Sequence, residues 1–214
     1  MVFVLREPTI GIAHRLAILT ILDYGEVIGN TIELPSPLVI SVERPEREPR
    51  VYPTVGLSRQ ALDVYAVQLM SKDIKGFSYT YGNRFRDYDG IDQMQKVIWT
   101  LTNDRNSRRA IMHTWKVSID LGGEEIPCVQ TLQFLIRNNR LNCIATIRSN
   151  DILLAWGANA YGIENMMEYV CCALKNVSMG TLTTMSASAH IYHIRDANII
   201  TAVQNDMDTS RVRH

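Results

Sequence analysis

The clearest alternation of apolar and polar positions in the chain lies at residues 129–149. "VQTLQFLIR" and "RLNCIATIRS" alternate along their length, and Asn138 and Asn139 lie between them. Asparagine tolerates the left-handed conformation that a tight turn needs, so the pattern predicts a β-hairpin. Elsewhere the period lengthens. "LSRQALDVYAVQLMS" (57–71) is apolar at 57, 62, 64, 67, 69 and 70 with Ser58 placed as an N-cap, which predicts a helix. Residues 91–101 predict another, apolar at 91, 94, 97, 98 and 101. "YGIENMMEYVCCALKNVSMG" (161–180) predicts a buried helix stopping near Gly180. "RRAIMHTWKVSIDLGG" (108–123) reads as a strand ending at a Gly122–Gly123 turn, "YGNRFRDYDG" (81–90) as turn-like, and "TLTTMSASAHIYHI" (181–194) as a last strand before a polar tail. Five prolines within residues 30–56 predict extended chain and loop there.

Strands and helices mix without a regular βαβ rhythm, so the expected class is α+β in layers rather than a doubly wound parallel sheet. A length of 214 residues suits one domain spanning 1–214. Lys plus Arg and Asp plus Glu both number 22, so no global field draws the chain to DNA or to a membrane, and any anion site must be local. The apolar N-terminal stretch is interrupted by Arg6, Glu7, His14 and Arg15 and shows no small-residue cleavage site, and no run approaches the ~18 apolar residues of a spanning helix. The expectation is a soluble cytoplasmic protein. Four cysteines (128, 143, 171, 172) are too few and too irregular for a disulfide framework or a zinc knuckle, which leaves reduced thiols.

Cys128 is the sharpest chemical candidate, because it follows Pro127 at the mouth of a strand and a thiolate is a strong nucleophile favoured by nearby cations. The alternative is a small core residue, and Cys143, Cys171 and Cys172 keep that reading in the middle of apolar elements. Arg108 and Arg109, and Arg148 with Ser149, are guanidinium and hydroxyl groups at element ends that suit a phosphate. Singly, each arginine also fits a solvated surface charge. Asn159 in "WGANAYG" offers a donor and an acceptor to a planar amide or imide edge, or caps a turn. His190 and Tyr192 alternate with Ile191, so both face one side of a strand, where either can bond a sugar hydroxyl. His190 and His193 fall on opposite faces, which argues against a shared metal.

Taken together in order, "YGNRFR", "IDQM", "NSRRAIMHTW", "IPCVQTLQF", "LNCIATIRSNDILLAWGANAYG" and "AHIY" resemble the thymidylate synthase family over about residues 78–195, and most resemble its short archaeal type. The resemblance implies a layered α+β fold: a large mixed β-sheet covered by helices, with a sheet face at a dimer interface. It implies that Cys128 attacks C6 of a pyrimidine nucleotide, and that Arg148 and Ser149 hold its phosphate. Arg108 and Arg109 reach the phosphate of the other subunit of a homodimer. His190 and Tyr192 hold the deoxyribose hydroxyl, and Gln133 and Asp151 help to order the nucleotide and the pterin. Asn159 reads the base and, as an amide, points to dUMP. The co-substrate implied is 5,10-methylenetetrahydrofolate or 5,10-methylenetetrahydromethanopterin, with no metal. The product is dTMP, with hydroxymethylation of dUMP or dCMP as the alternative and a binding protein without turnover as a third reading. The chain departs from the family pattern at Val129, where histidine is usual. It also departs in "VIGNTIELPS", which lacks a phosphate arginine, and in the tail "QNDMDTSRVRH", which lacks the segment that closes over the pterin. The glutamate that manages protons near O4 is not visible, and Asp63 is its expected substitute.

Overall fold

The computed structural model describes residues 2–74 and 76–211, with side chains through residue 206. Residues 212–214 of the polar tail lie outside the described residues. β1 (Phe3–Glu7) leads into α1 (Ile10–Tyr24), then the short β2 (Glu26–Ile28) and β3 (Thr31–Glu33), and β4 (Leu38–Val42). Three helices follow, α2 (Arg59–Met70), α3 (Tyr81–Arg86) and α4 (Gln93–Asn103), before β5 (Ile111–His113) and the single turn α5 (Val117–Asp120). The C-terminal half is β6 (Val129–Arg137), β7 (Arg140–Asp151), α6 (Ala155–Ala173), β8 (Ser178–Ile191) and α7 (Ala197–Arg211).

The strands form one mixed sheet in the order β1-β4-β8-β7-β6-β5, with β3 pairing the far end of β8 and β2 pairing β3. β7 and β8, the two longest strands, run parallel, and β6 runs antiparallel to β7. The predicted hairpin is β6–β7, and Asn138 and Asn139 at its tip take φ values of 53° and 57°. This α+β layering is the expected class. Leu141, Cys143, Ala145 and Ile147 of β7 alternate onto the buried face, joined by Leu132 and Phe134 of β6 and by Leu38 and Ile40 of β4. α1 and α6 cover that face, and α2 lies on α6. The other face carries Gln133, Ile144, Thr146, Thr183 and Met185, half-buried or exposed. Among the described residues no helix is long and apolar enough to cross a membrane.

Several expectations need correction. Residues 108–123 hold only the three-residue β5, because the chain then turns so that Asp120 can meet Arg84 in a buried ion pair. Residues 81–86 are a helix rather than a turn, capped by the Thr80 hydroxyl accepting from Asn83 N at 3.0 Å. α6 begins six residues before the predicted start, where Asp151 Oδ1 accepts from Leu153 N and Leu154 N and turns β7 into the helix. It ends at Ala173, and Gly180 lies inside β8. Within 30–56, Leu38–Val42 is a core strand, and the tail expected as plain polar chain forms α7. Cys172 is exposed rather than buried, whereas Cys143 is buried and its thiol is held well above the ordinary range by that burial.

Candidate active site

The topology brings the chemistry to one edge of the sheet. Because β7 and β8 are parallel, Ser149 faces Ser188 and Asp151 faces His190 at their carboxyl ends. β6 is antiparallel to β7, so its first residues lie at that same edge, with Val129 opposite Ile147 and a bulge directly after. Cys128 immediately precedes β6 and therefore stands beside the end of β7. α6 starts four residues beyond Asp151 and delivers Asn159 on its second turn.

Cys128, Ser149, Asp151, Asn159, His190 and Tyr192 line a common cavity of about 220 Å³. Tyr65 of α2 and Tyr81 of α3 complete its wall. Tyr65 is not among the apolar positions that mark its helix in the sequence, and Tyr81 enters there only as the first residue of "YGNRFR". Tyr81 Oη accepts the backbone N–H of Cys128 and that of Val129, each at 3.2 Å. The Tyr65 hydroxyl donates to Asn159 Oδ1 at 2.6 Å. Burial raises the pKa of both phenols, so each stays protonated at neutral pH. Burial lowers that of His190 against the opposing pull of Asp151 and Glu33, so its imidazole is neutral at pH 7 and offers one donor and one acceptor. The His190 and Tyr192 rings meet edge to face at 5.2 Å, and the Arg195 guanidinium stacks 4.3 Å over Tyr192.

Arg148 lies behind the thiol. Its Nε donates to Pro127 O at 3.0 Å and its Nη2 to Ile126 O at 2.7 Å, while its backbone N–H donates to Cys128 O at 2.9 Å. It thereby clamps the residues that carry Cys128, and it lines a neighbouring cleft with Tyr79 and Glu125 rather than the cavity itself; among the described residues Nη1 makes no side-chain bond of this kind. Asp151 spends Oδ1 on the turn into α6 and Oδ2 on Arg195 Nη2 at 2.6 Å, so its visible work is to position that corner. Gln133 lies apart from the cavity, donating from Nε2 to Arg108 O at 3.0 Å. Arg108 and Arg109 are exposed ahead of β5 and do not line this chain's own cavity. Asp63 does not line it either: its carboxylate accepts from Tyr161 Oη at 2.5 Å and faces Arg59 on the outer side of α2. The group that touches Asn159 is Tyr65, two residues further along the helix.

A second cleft of about 280 Å³ adjoins the first, sharing Tyr65 and Tyr81 and adding Leu69, Phe77 and Tyr79. Its aromatic walls fit a flat heterocycle.

A thiol, an amide and an imidazole thus converge where the longest strands of this α+β fold end. A family model described as thymidylate synthase matches residues 57–211. Three curated archaeal proteins bearing the name "Putative thymidylate synthase" align with it. The chain is 39% identical to that of Methanothermobacter marburgensis, over 78% of this chain and 71% of that protein. It is 35% identical to that of Methanosarcina barkeri over 88% and 89%, and 34% identical to that of Methanocaldococcus jannaschii over 92% and 93%. The chain belongs to the thymidylate synthase family, and with it to the methyltransferases.

Proposed function

We propose that this protein is a single-domain, cytoplasmic thymidylate synthase that converts dUMP to dTMP. The observation that carries this reading is that Cys128 opens into the same cavity as Asn159 and His190. Cys128 Sγ forms a bond to C6 of the pyrimidine, which makes C5 a carbon nucleophile; the same bond breaks when the product leaves, returning the thiol. A methylene-carrying reduced pterin, folate or methanopterin, supplies the one-carbon unit. C5 bonds to the methylene carbon and loses its proton, the carbon–nitrogen bond to the pterin breaks, and a hydride from the same tetrahydropterin completes the methyl, leaving the pterin in its dihydro form. The aromatic cleft of Phe77, Tyr79 and Tyr81 is its site, alongside C5.

The remaining groups bind and orient. Asn159 takes the C4 edge of uracil, and His190 with Tyr192 takes the deoxyribose hydroxyl. Ser149 and Arg148 Nη1 hold the phosphate from within the subunit, while Arg108 and Arg109 reach across a homodimer whose interface is the sheet face left open by the helices. Gln133 and Asp151 order the nucleotide through this framework. Mass spectrometry of the nucleotide tests the reading, after incubation of the enzyme with dUMP or dCMP and each methylene-pterin. A methyl gain on dUMP is expected. A hydroxymethyl gain would make the protein a hydroxymethylase on the same fold, and no covalent change with any pair would overturn the enzymatic reading.

A further inference from the structure

Asn159 has two chemically opposite ends, and the structure treats them differently. Oδ1 accepts from the Tyr65 hydroxyl, and among the described residues no group takes the hydrogens of Nδ2. Nor does the phenol hydrogen of Tyr65 have another acceptor there. Rotating the amide by half a turn would set Nδ2 against the phenol and leave that hydrogen unpaired beside a largely buried residue, which costs free energy. The phenol is protonated at neutral pH, so the donor is always present. Its position is fixed as well, since α2 and α6 pack closely. A Cβ at Gly162 would come within 2.0 Å of Leu69 Cδ1 and 3.7 Å of Tyr65 Cδ1.

We propose that Tyr65 is the positioning residue that sets base choice, by locking the Asn159 amide with Nδ2 turned toward the ligand. The inference rests on reading the cavity as a pyrimidine nucleotide site. Uracil presents an acceptor at O4 and a donor at N3, which match Nδ2 and the second lone pair of Oδ1. Cytosine presents a donor at N4 and an acceptor at N3, and needs the amide reversed. An asparagine free to turn would read both bases. Tyr65 removes that freedom through its bond to Asn159.

Calorimetric titration of dUMP and dCMP into the wild type, Tyr65→Phe and Tyr65→Leu tests this. The wild type is expected to prefer dUMP, and both variants to shrink the dUMP-to-dCMP affinity ratio by about tenfold or more, in line with the loss of one enforcing hydrogen bond. The second variant, which also lacks the hydroxyl, carries the test if the first does not fold. A variant ratio equal to that of the wild type, a uniform loss of both ligands, or a wild type that binds both alike would overturn the role of Tyr65 while leaving the nucleotide site standing. A wild type that binds neither would overturn the site reading and this inference together.

Discussion

Tyr81 Oη sits 3.2 Å from the backbone nitrogen of Cys128 and the same distance from that of Val129, so a single phenol anchors both residues at the mouth of β6. It can do so because α3 packs closely on the end of α2. A Cβ at Gly82 would come within 2.1 Å of Gln68 O and 2.3 Å of Ser71 O, so glycine is required beside Tyr81. Replacing Tyr81 with phenylalanine leaves two N–H groups without their acceptor. Turnover is expected to fall by about 10- to 100-fold, and stability by about 1–3 kcal/mol, with the KM for dUMP little changed. Steady-state kinetics and urea unfolding measure both. Unchanged kcat would mean that the phenol does not orient the thiol.

The next layer outward is ionic. Arg84 Nη2 donates to Asp120 Oδ1 at 2.7 Å and its Nη1 to Oδ2 at 3.1 Å, and both side chains are buried. Lys116 N also donates to Asp120 Oδ2, at 2.6 Å, closing the turn of α5. Such a pair gives little net stability against a well-packed apolar pair, but removing one partner strands a buried charge. Asp120→Ala is expected to lower the unfolding free energy by about 3–5 kcal/mol, and the double change Arg84→Met with Asp120→Leu to recover most of it. Chemical denaturation of the wild type and these two variants measures this; equal losses in the single and double variants would contradict it.

This pair also explains what the sequence hides. The hairpin is legible because strict alternation and two turn-forming asparagines are local signals. α2 is legible for the same reason, through its period and Ser58, which accepts from Ala61 N at 3.1 Å. Residues 108–123 mislead because Asp120 folds inward to an arginine 36 residues away, and no local pattern registers that. α1 is obscured by Thr9, which makes no side-chain cap, and by His14, a polar residue in the buried stripe. In the cavity, residues with distinctive chemistry stand out in the sequence. Tyr65 does not, since its partner Asn159 lies 94 positions on.

His14 makes acid stability predictable. It is fully buried, packed 5.4 Å from the Trp156 ring, and its Nε2 donates to Ile152 O at 2.7 Å. Burial lowers its pKa to about 4, against hydrogen bonds to the 152–153 backbone that raise it. An unfolded chain titrates this group near 6.5. Between those values the unfolded state binds the extra proton, so stability falls as the pH drops through that window, by roughly 3 kcal/mol in full. Glu164, raised to about 7 by burial despite its bond to Arg50, works in the opposite sense. The comparison is therefore made with His14→Gln, which retains Glu164. The stability lead of the wild type at neutral pH is expected to shrink steadily toward pH 4, and urea midpoints across that range record it. A lead independent of pH would show that His14 is not held neutral.

The exposed positions of Arg108 and Arg109, outside this chain's own cavity, lead to a test of the proposed homodimer. If these arginines complete the partner's phosphate site, a subunit lacking Cys128 and a subunit lacking both arginines are each inactive alone. One mixed dimer then contains one damaged site, with neither nucleophile nor arginines, and one intact site built from the thiol of one chain and the arginines of the other. Random reassortment puts half the dimers in the mixed form, each with one working site of two, so about a quarter of wild-type activity is expected to return. Cys128→Ser and Arg108→Ala/Arg109→Ala proteins, mixed after mild denaturation and refolding, supply the measurement. Cys128→Ser alone should still bind dUMP, since only the nucleophile is changed. Recovery near a quarter supports shared sites at a two-fold interface. If the mixture stays as inactive as its components while both bind nucleotide, the arginines serve their own subunit, and the sheet face needs another explanation.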